Sequence, residues 1–333
     1  MQAVDNEVLN QVNAWLDDGR RCWLATVVQT WGSSPRPVGS LFACDPDGHL
    51  VGSLSGGCVE DDLLEKLQRG ELADRHAQFF QYGITAEETE KLGLPCGGHL
   101  YVVVEPLDPT NAYRSHFRHL RDRLEARRTV RRRVDLKRRT FDHADVDAYE
   151  PLAWNPGTEV LEHTYGPRQQ LFIIGAGMVS KYLAELAQKL DYEVTVCDPR
   201  EHLLNDFNVP GVRLVNDMPD DAVRAHANDP SSAIAALTHD PRIDDMGLME
   251  ALKTDAFYVG AMGSTRPSAS RRERLRALEM SAAEIARLHA PIGLPIGSKT
   301  PPEIAVAVMA EILAIRAEQA AASRRQLARA AAG

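Results

Sequence analysis

Apolar positions follow a mixed pattern in the first half of the chain and a regular one after residue 170. Between Glu7 and Leu16, Val8, Val12, Trp15 and Leu16 share one side of a 3.6-residue period, which predicts a helix. Cys22–Thr30 is a nearly continuous apolar run and reads as a buried strand, with Ser40–Cys44 as another. The turn signal Asp45-Pro46-Asp47-Gly48 joins the latter to His49–Leu54 and predicts a hairpin. Val59–Gln68 follows as a helix, Arg75–Tyr82 and Leu100–Val104 as strands, and Asn111–Arg127 as a further helix. Residues 1–107 therefore predict an α+β domain. Residues 108–168 mix short strand signals with acidic and proline-containing stretches. They read as a connecting region, either a strand hairpin or a completion of one neighbour.

From Gln170 short apolar strands alternate with helices. Leu171–Ile174, Glu193–Cys197, Val212–Leu214, Ala233–Leu237 and Phe257–Val259 are the strands, and Pro302–Glu318 is a closing helix. That order predicts a Rossmann-like, doubly wound α/β domain over residues 169–333. The alanine- and arginine-rich tail from Ala320 reads as a frayed helix end.

Composition narrows the class. The chain has 333 residues, 44% hydrophobic and 26% charged, enough for two soluble domains with their own cores. No apolar run approaches the length of a membrane span, and the acidic N-terminus lacks the apolar stretch of a signal peptide. Five cysteines without regular spacing do not make a disulfide framework, so a reduced, cytoplasmic protein is expected. A net charge of −9 opposes general nucleic-acid binding. The local run Arg127–Arg139 reads instead as a strand or hairpin with a solvated basic face, suited to an acidic protein partner or an anionic cofactor.

The chemistry concentrates in loops. Gly175-Ala176-Gly177 follows a strand and opens a helix, and Asp198 ends the next strand 23 residues later. In that context Gly175 permits a tight turn, Gly177 lets a pyrophosphate approach the helix end, and Asp198 accepts from a ribose. The plainer alternative is that both glycines only shape the turn. Arg200 suits a 2′-phosphate or an ordinary surface position. Thr238-His239-Asp240 and the loop containing Gly263 lie where such a sheet presents its ligand-facing edge. His239 is a candidate acid/base, the alternative being a loop histidine bound to backbone. Thr300-Pro301-Pro302-Glu303 has capping-box spacing, which places Gly297, Ser298 and Lys299 beside a positive helix end, a candidate anion site.

Three glycine-rich loops precede all of this. They contain Ser34 and Arg36, then Gly56, Gly57 and Cys58, then Cys96 and Gly97. Cys58 stands just before a helix, where the dipole favours thiolate, and Cys96 lies between Pro95 and Gly97. Both are candidate catalytic or metal-approaching thiols. Zinc on Cys58, Cys96 and His99 is a competing reading, weakened by the lack of Cys-x-x-Cys spacing. Glu60, Asp61 and Asp62 complement the dipole of the following helix, a plainer role than metal binding. Cys22 and Cys197 read as core residues.

Taken together, Gly32–Arg36, Gly52–Glu60, Cys96–Gly98, Leu171–Gly177, Thr238–Asp240, Tyr258–Ser264 and Pro291–Glu303 resemble the XdhC/CoxI family. These are accessory proteins for the maturation of xanthine dehydrogenase and related molybdenum hydroxylases. The resemblance spans most of the chain but not Asp108–Gln169. It implies an accessory chaperone rather than a turnover enzyme. Such a protein binds molybdenum cofactor of the molybdopterin type, aids its sulfuration by a cysteine desulfurase, and delivers it to the apo-hydroxylase. In that picture the glycine-loop amides, Arg36 and Lys299 hold the pterin phosphate, while Cys58 or Cys96 approaches molybdenum or the transferred sulfur. A homodimer is expected, in which the first domain of one chain covers the Rossmann edge of another. Met178 departs from the family, many members of which carry histidine there. The rival reading is an NAD(P)-dependent oxidoreductase using Gly175, Gly177, Asp198 and His239. A zinc-stabilised scaffold is a third.

Overall fold

The ten residues of β1 (Cys22–Trp31) explain why the first apolar run does not alternate. Trp23, Ala25 and Val27 pack with Val59, Leu63 and Leu67 of α2 (Cys58–Gln68). Cys22 and Leu24 point the other way, toward Val8, Val12 and Leu16 of α1 (Ala3–Asp17). Side chains on a strand alternate between faces, so a strand covered on both sides is apolar throughout. The chain is described here by a computed structural model over residues 3–31, 36–55, 57–83, 99–146 and 150–330.

Strand β1 is the centre of an antiparallel sheet with β2 (Leu41–Cys44), β3 (Leu50–Gly52), β4 (Gln78–Tyr82) and β5 (His99–Leu107). The order is β3-β2-β1-β5-β4, and β2 and β3 form the expected hairpin. Helix α3 (Asn111–Glu125) then leads into β6 (Thr129–Asp135), β7 (Thr140–Val146), β8 (Ala153–Asn155) and β9 (Val160–Tyr165). These four strands form a second antiparallel sheet, ordered β7-β6-β9-β8. Contacts place Met1–Pro167 in one unit and Arg168–Gly333 in another. Residues 108–167 thus belong to the first unit and contain a whole sheet.

The arginine run differs from the reading of a solvated basic face. The strand period turns Arg131 and Arg133 outward but places Arg132 between Val130 and Val134, 1% exposed. Its Nη1 and Nη2 donate to the two oxygens of Glu105, at 2.7 and 2.8 Å, and its Nε donates to His116 Nε2 at 2.9 Å.

In the second unit β10 (Gln170–Ile174), β11 (Glu193–Cys197), β12 (Arg213–Val215), β13 (Ser232–Ala236), β14 (Tyr258–Ala261) and β15 (Leu288–His289) are all parallel. Their spatial order, β12-β11-β10-β13-β14-β15, is the Rossmann order, reversing direction between β10 and β13. The connecting helices are α4 (Met178–Lys189), α5 (Glu201–Asn205), α6 (Pro219–His226), α7 (Pro241–Ala251), α8 (Thr265–Ala277) and α9 (Ala282–Ala286). Leu171 and Ile173 face the core that includes Leu183 of α4, and Phe172 and Ile174 the core that includes Val223 and Leu248. The sequence-derived fold class, α+β followed by Rossmann, is the one observed. The last helix, α10, spans Pro301–Ala330, so the tail read as a frayed end continues the helix. Alanine, arginine and glutamine are strong helix formers, which suits that continuation. No helix among the described residues is long and apolar enough to cross a membrane.

Candidate functional site

In the first unit the second glycine-rich loop is organised by one carboxylate. Glu60, in the first turn of α2 and 6% exposed, turns back over the loop that precedes it. Its Oε1 accepts from Ser53 Oγ, Leu54 N and Ser55 N at 2.7–2.9 Å, and its Oε2 from Ser55 Oγ and Gly57 N, both at 2.9 Å. A carboxylate with several N–H and O–H donors is a strong local clamp, since each is a charge-assisted bond. The clamp ties Ser53, Leu54, Ser55 and Gly57 to the first turn of α2, whose first residue is Cys58. Glu60 is therefore a loop organiser as well as a helix-dipole partner.

In the second unit, Gly175 has φ +106°, and a Cβ there would stand 2.7 Å from Thr238 Cγ2. The first fingerprint glycine thus lets the β10 turn pack on the β13 turn at the point where strand order reverses. Gly177 caps α4 and has nothing within 4 Å of a Cβ, so the approach to the helix end is open. Asp198 is already partnered. Its Oδ2 accepts from Ala176 N at 2.9 Å and Arg200 Nη2 at 2.8 Å, and its Oδ1 from Arg200 N at 3.0 Å and Nε at 2.8 Å. Burial opposes its ionisation, yet the bonds from Arg200 and Ala176 hold its pKa below the ordinary value. A ribose hydroxyl at Asp198 has to compete with Arg200.

Beyond β13 and β14 a cleft of 1070 Å³ opens, with Met262, Pro267, Ile292, Leu294 and Ile304 among its apolar walls. The most buried part of its lining is polar: Thr238, Asp244 and Arg271 are at most 6% exposed. Asp244 Oδ1 accepts from Thr238 N at 3.1 Å and Oγ1 at 2.7 Å, and its Oδ2 from Arg271 Nη2 at 2.8 Å. Arg271 also donates from Nη1 to Met262 O at 2.9 Å and from Nε to Asp245 Oδ1 at 3.1 Å. One guanidinium therefore ties the loops after β13 and β14 to α7. Burial pushes the Asp244 carboxyl up to about 6, outweighing its bonds from Thr238 and the charge of Arg271.

The facing wall, Pro291–Ser298, hangs from Glu311 of α10. Its Oε2 accepts from Gly293 N at 2.8 Å and from the Tyr258 hydroxyl, and its Oε1 lies 3.3 Å from His289 Nδ1. At the end of that wall Glu303 Oε2 accepts from Lys299 N at 2.8 Å and Thr300 N at 2.9 Å. The carboxylate half of the expected capping box is present, and it satisfies the Lys299 amide within the candidate anion site.

The family model described as "XdhC and CoxI family" matches residues 15–83, and the "XdhC Rossmann domain" model matches residues 171–312. The chain belongs to the XdhC/CoxI family. A protein of Bacillus subtilis (strain 168), named as a probable subunit of xanthine dehydrogenase, is 26% identical, over 92% of this chain and 96% of its own. The molybdenum cofactor insertion chaperone PaoD of Escherichia coli (strain K12) is 26% identical, over 91% of this chain and 86% of its own. Among solved structures, that of a xanthine dehydrogenase from Bacillus halodurans superposes with a TM-score of 0.71 and 25% identity, covering 94% of this chain and 96% of that one.

Within this XdhC/CoxI chain the structure brings some of the sequence-derived candidates together. His239, Gly263 and Gly297 line the cleft; His239 is exposed, and no described residue hydrogen-bonds its ring. Lys299 is exposed at the end of the same loop. Gly175, Gly177 and Asp198 lie at the neighbouring β10–β11 edge, outside the cleft lining. In the first unit Arg36 is half-buried in the loop between β1 and β2, Gly57 is the cap of α2, and Cys58 is placed by its backbone. Ser34, Gly56, Cys96 and Gly97 lie outside the described residues. Cys22, Cys44 and Cys197 are buried, and burial pushes each thiol up to about 12, so they stay protonated at neutral pH.

His99 opens β5, while the cysteines of the zinc reading, Cys96 and the Cys58 side chain, are not described. The group with metal-ligand geometry among the described residues is Asp45, Asp47 and His49, where Arg20 ion-pairs with both aspartates. Sequence reasoning missed Asp244, Arg271 and Glu311. They sit on helices, and nothing in their spacing marks the helix face turned to the sheet edge.

Proposed function

We propose that this chain is a maturation factor for a molybdenum hydroxylase such as xanthine dehydrogenase. It binds molybdenum cofactor as cargo, supports its sulfuration by a cysteine desulfurase, and delivers it to the apo-enzyme. The observation that carries this reading is the match, over 91% of the chain, to a relative named as a molybdenum cofactor insertion chaperone. Local chemistry agrees with it. Three of the five cysteines are inert core thiols, which leaves Cys58 and Cys96, both in glycine-rich loops, for soft-metal or sulfur chemistry. The Cys58 loop is held in shape by Glu60. The cleft beside β13 and β14 has the apolar walls and few convergent polar groups of a site for a heterocyclic ligand.

The second reading, an NAD(P)-dependent oxidoreductase, is favoured by the strand order and the open helix end at Gly177. It is opposed by the closed Asp198–Arg200 pair and by the lack of a described partner that would fix the His239 tautomer.

Anaerobic co-purification tests the proposal. Wild-type protein made in a cofactor-producing host is expected to carry stoichiometric molybdenum and pterin, and folded Cys58→Ala or Cys96→Ala to lose them. Wild-type protein without molybdenum or pterin, but with tight NAD(P) and hydride transfer, would overturn it.

A further inference from the structure

The helices that start at the carboxyl edge of the parallel sheet differ in how their first amides are satisfied. Asp240 caps α7 by accepting from Arg242 N at 3.0 Å, Glu303 serves α10, and α6 begins with Asp220 and Asp221. Helix α8 has none of this. Its cap, Ser264, makes no side-chain cap bond, and its first turn contains no acid. Instead the second helical position is Arg266, exposed and without an ion pair to any described residue. A cation at the positive end of a helix is unfavourable unless an anion sits between them. Across its thirteen residues α8 carries five arginines and one glutamate.

A second observation points to the same place. Ser268, one turn into α8, is 1% exposed, and its Oγ has no hydrogen-bond partner. That hydroxyl lies 3.5 Å from where a Cβ on Gly263 would stand, and Gly263, Ser264 and Pro267 all line the cleft. Gly263, which has no side chain, is the cleft residue next to that hydroxyl. Native interiors seldom leave such a donor unused. The neighbouring charges do not oppose an anion: Asp244 and Asp245 are taken up by Arg271 and Arg274, and Asp240 by Arg242. At α4, which also lacks an acid in its first turn, the Ala176 amide is already bound by Asp198, and the buried Ser180 hydroxyl already donates to Gly175 O at 2.6 Å.

We propose that the first turn of α8, formed by Ser264, Thr265 and Arg266 with the Ser268 hydroxyl behind it, is the phosphate-monoester subsite of the cleft. The inference rests on the reading that the cleft holds an organic phosphate, and it moves the anion contact away from Lys299. A phosphate monoester carries close to two negative charges at neutral pH and three acceptor oxygens. The free amides, the Arg266 guanidinium and the buried hydroxyl supply donors to match. The phosphate belongs either to a pterin cargo or to a nucleotide.

The test uses the full chain and inorganic phosphate, followed by ³¹P line broadening. Wild type is expected to bind saturably, and Arg266→Ala and Ser268→Ala each to weaken binding by about tenfold, the loss of one charge-assisted bond. Arg276→Ala, which removes an exposed cation from the far end of the same helix, should bind as wild type does. Ser268→Ala should keep wild-type stability because its hydroxyl has no partner to lose. Equal phosphate binding by wild type, Arg266→Ala and Ser268→Ala overturns the subsite. Competition by adenosine 5′-monophosphate against isolated pterin cofactor identifies the source, the stronger competitor being the phosphate carrier. The two levels separate. Cofactor retained in full by both variants, with unchanged phosphate binding, sinks the subsite and spares the maturation role. Wild-type protein that binds phosphate through Arg266 but never carries pterin supports the subsite and sinks that role.

Discussion

A methyl group added at Gly175 would stand 2.7 Å from Thr238 Cγ2 and 3.0 Å from Thr238 N, on a backbone with φ +106°. Gly175→Ala should therefore cost about 1–3 kcal/mol, read as a lower urea midpoint, through strain at that turn. Gly177 has φ −93° and open space around it, so Gly177→Ala should leave stability within about 0.5 kcal/mol of wild type. Any ligand affinity lost in Gly177→Ala then reports direct approach to the helix end; unchanged affinity makes the fingerprint a turn and nothing more. Glu60 offers a third residue-scale test. Glu60→Gln replaces one acceptor oxygen by an amide that cannot accept from the Ser53–Gly57 donors, at a cost of about 1–3 kcal/mol. Amide exchange at Leu54, Ser55 and Gly57 should quicken in this variant, and protection equal to wild type would show that Glu60 does not hold the loop.

At the scale of elements, the four-stranded sheet is built around buried ionisable groups. Arg132 and Glu105 form a bidentate pair with both side chains at most 3% exposed. Removing either partner should cost about 3–5 kcal/mol because the other charge is left buried and unpaired. His116 accepts from Arg132 Nε, which requires a neutral ring, and burial pushes its pKa down to about 2. Burial also pushes His163 down to about 3. Both rings are neutral in the folded protein but take up a proton in the unfolded chain below pH 6.5. Their contribution to stability is complete above that pH. It is lost as pH falls, by about 1.4 kcal/mol per histidine per pH unit. Urea titrations between pH 7 and 5 should show the transition of residues 1–167 moving to lower denaturant; a flat profile would mean the rings are already charged in the fold.

For the whole molecule, each hydrophobic core among the described residues draws on one unit alone, three in the first and two in the second. A fragment of residues 168–333 should accordingly fold by itself with a cooperative urea transition. A fragment that stays unfolded would show that the Rossmann unit depends on the first. This separation accounts for the two family models matching consecutive stretches of the chain. The relatives named for xanthine dehydrogenase and for cofactor insertion match both units together.

The sequence by itself determined the elements whose signals are local. Turn residues at Asp45–Gly48 and the glycine pair before α4 lie next to the strands they end, and the short, largely apolar strands β10, β11 and β13 are legible from the local sequence alone. Strand identity in turn implied the Rossmann order later found in the sheet. The tertiary structure alone decided which polar side chains face inward. Arg132 looks like its neighbours Arg131 and Arg133 until β6 pairs with β9 and a partner, Glu105, arrives from another sheet. The pairing of Asp198 with Arg200, and of Glu303 with the Lys299 and Thr300 amides, likewise has no mark in local spacing. Asp244, Arg271 and Ser268 carry no sequence signal because their roles depend on partners brought together by the β13 and β14 crossovers. Periodicity records which face of an element is buried, whereas hydrogen-bond partners depend on the distance between elements, which only the folded chain sets.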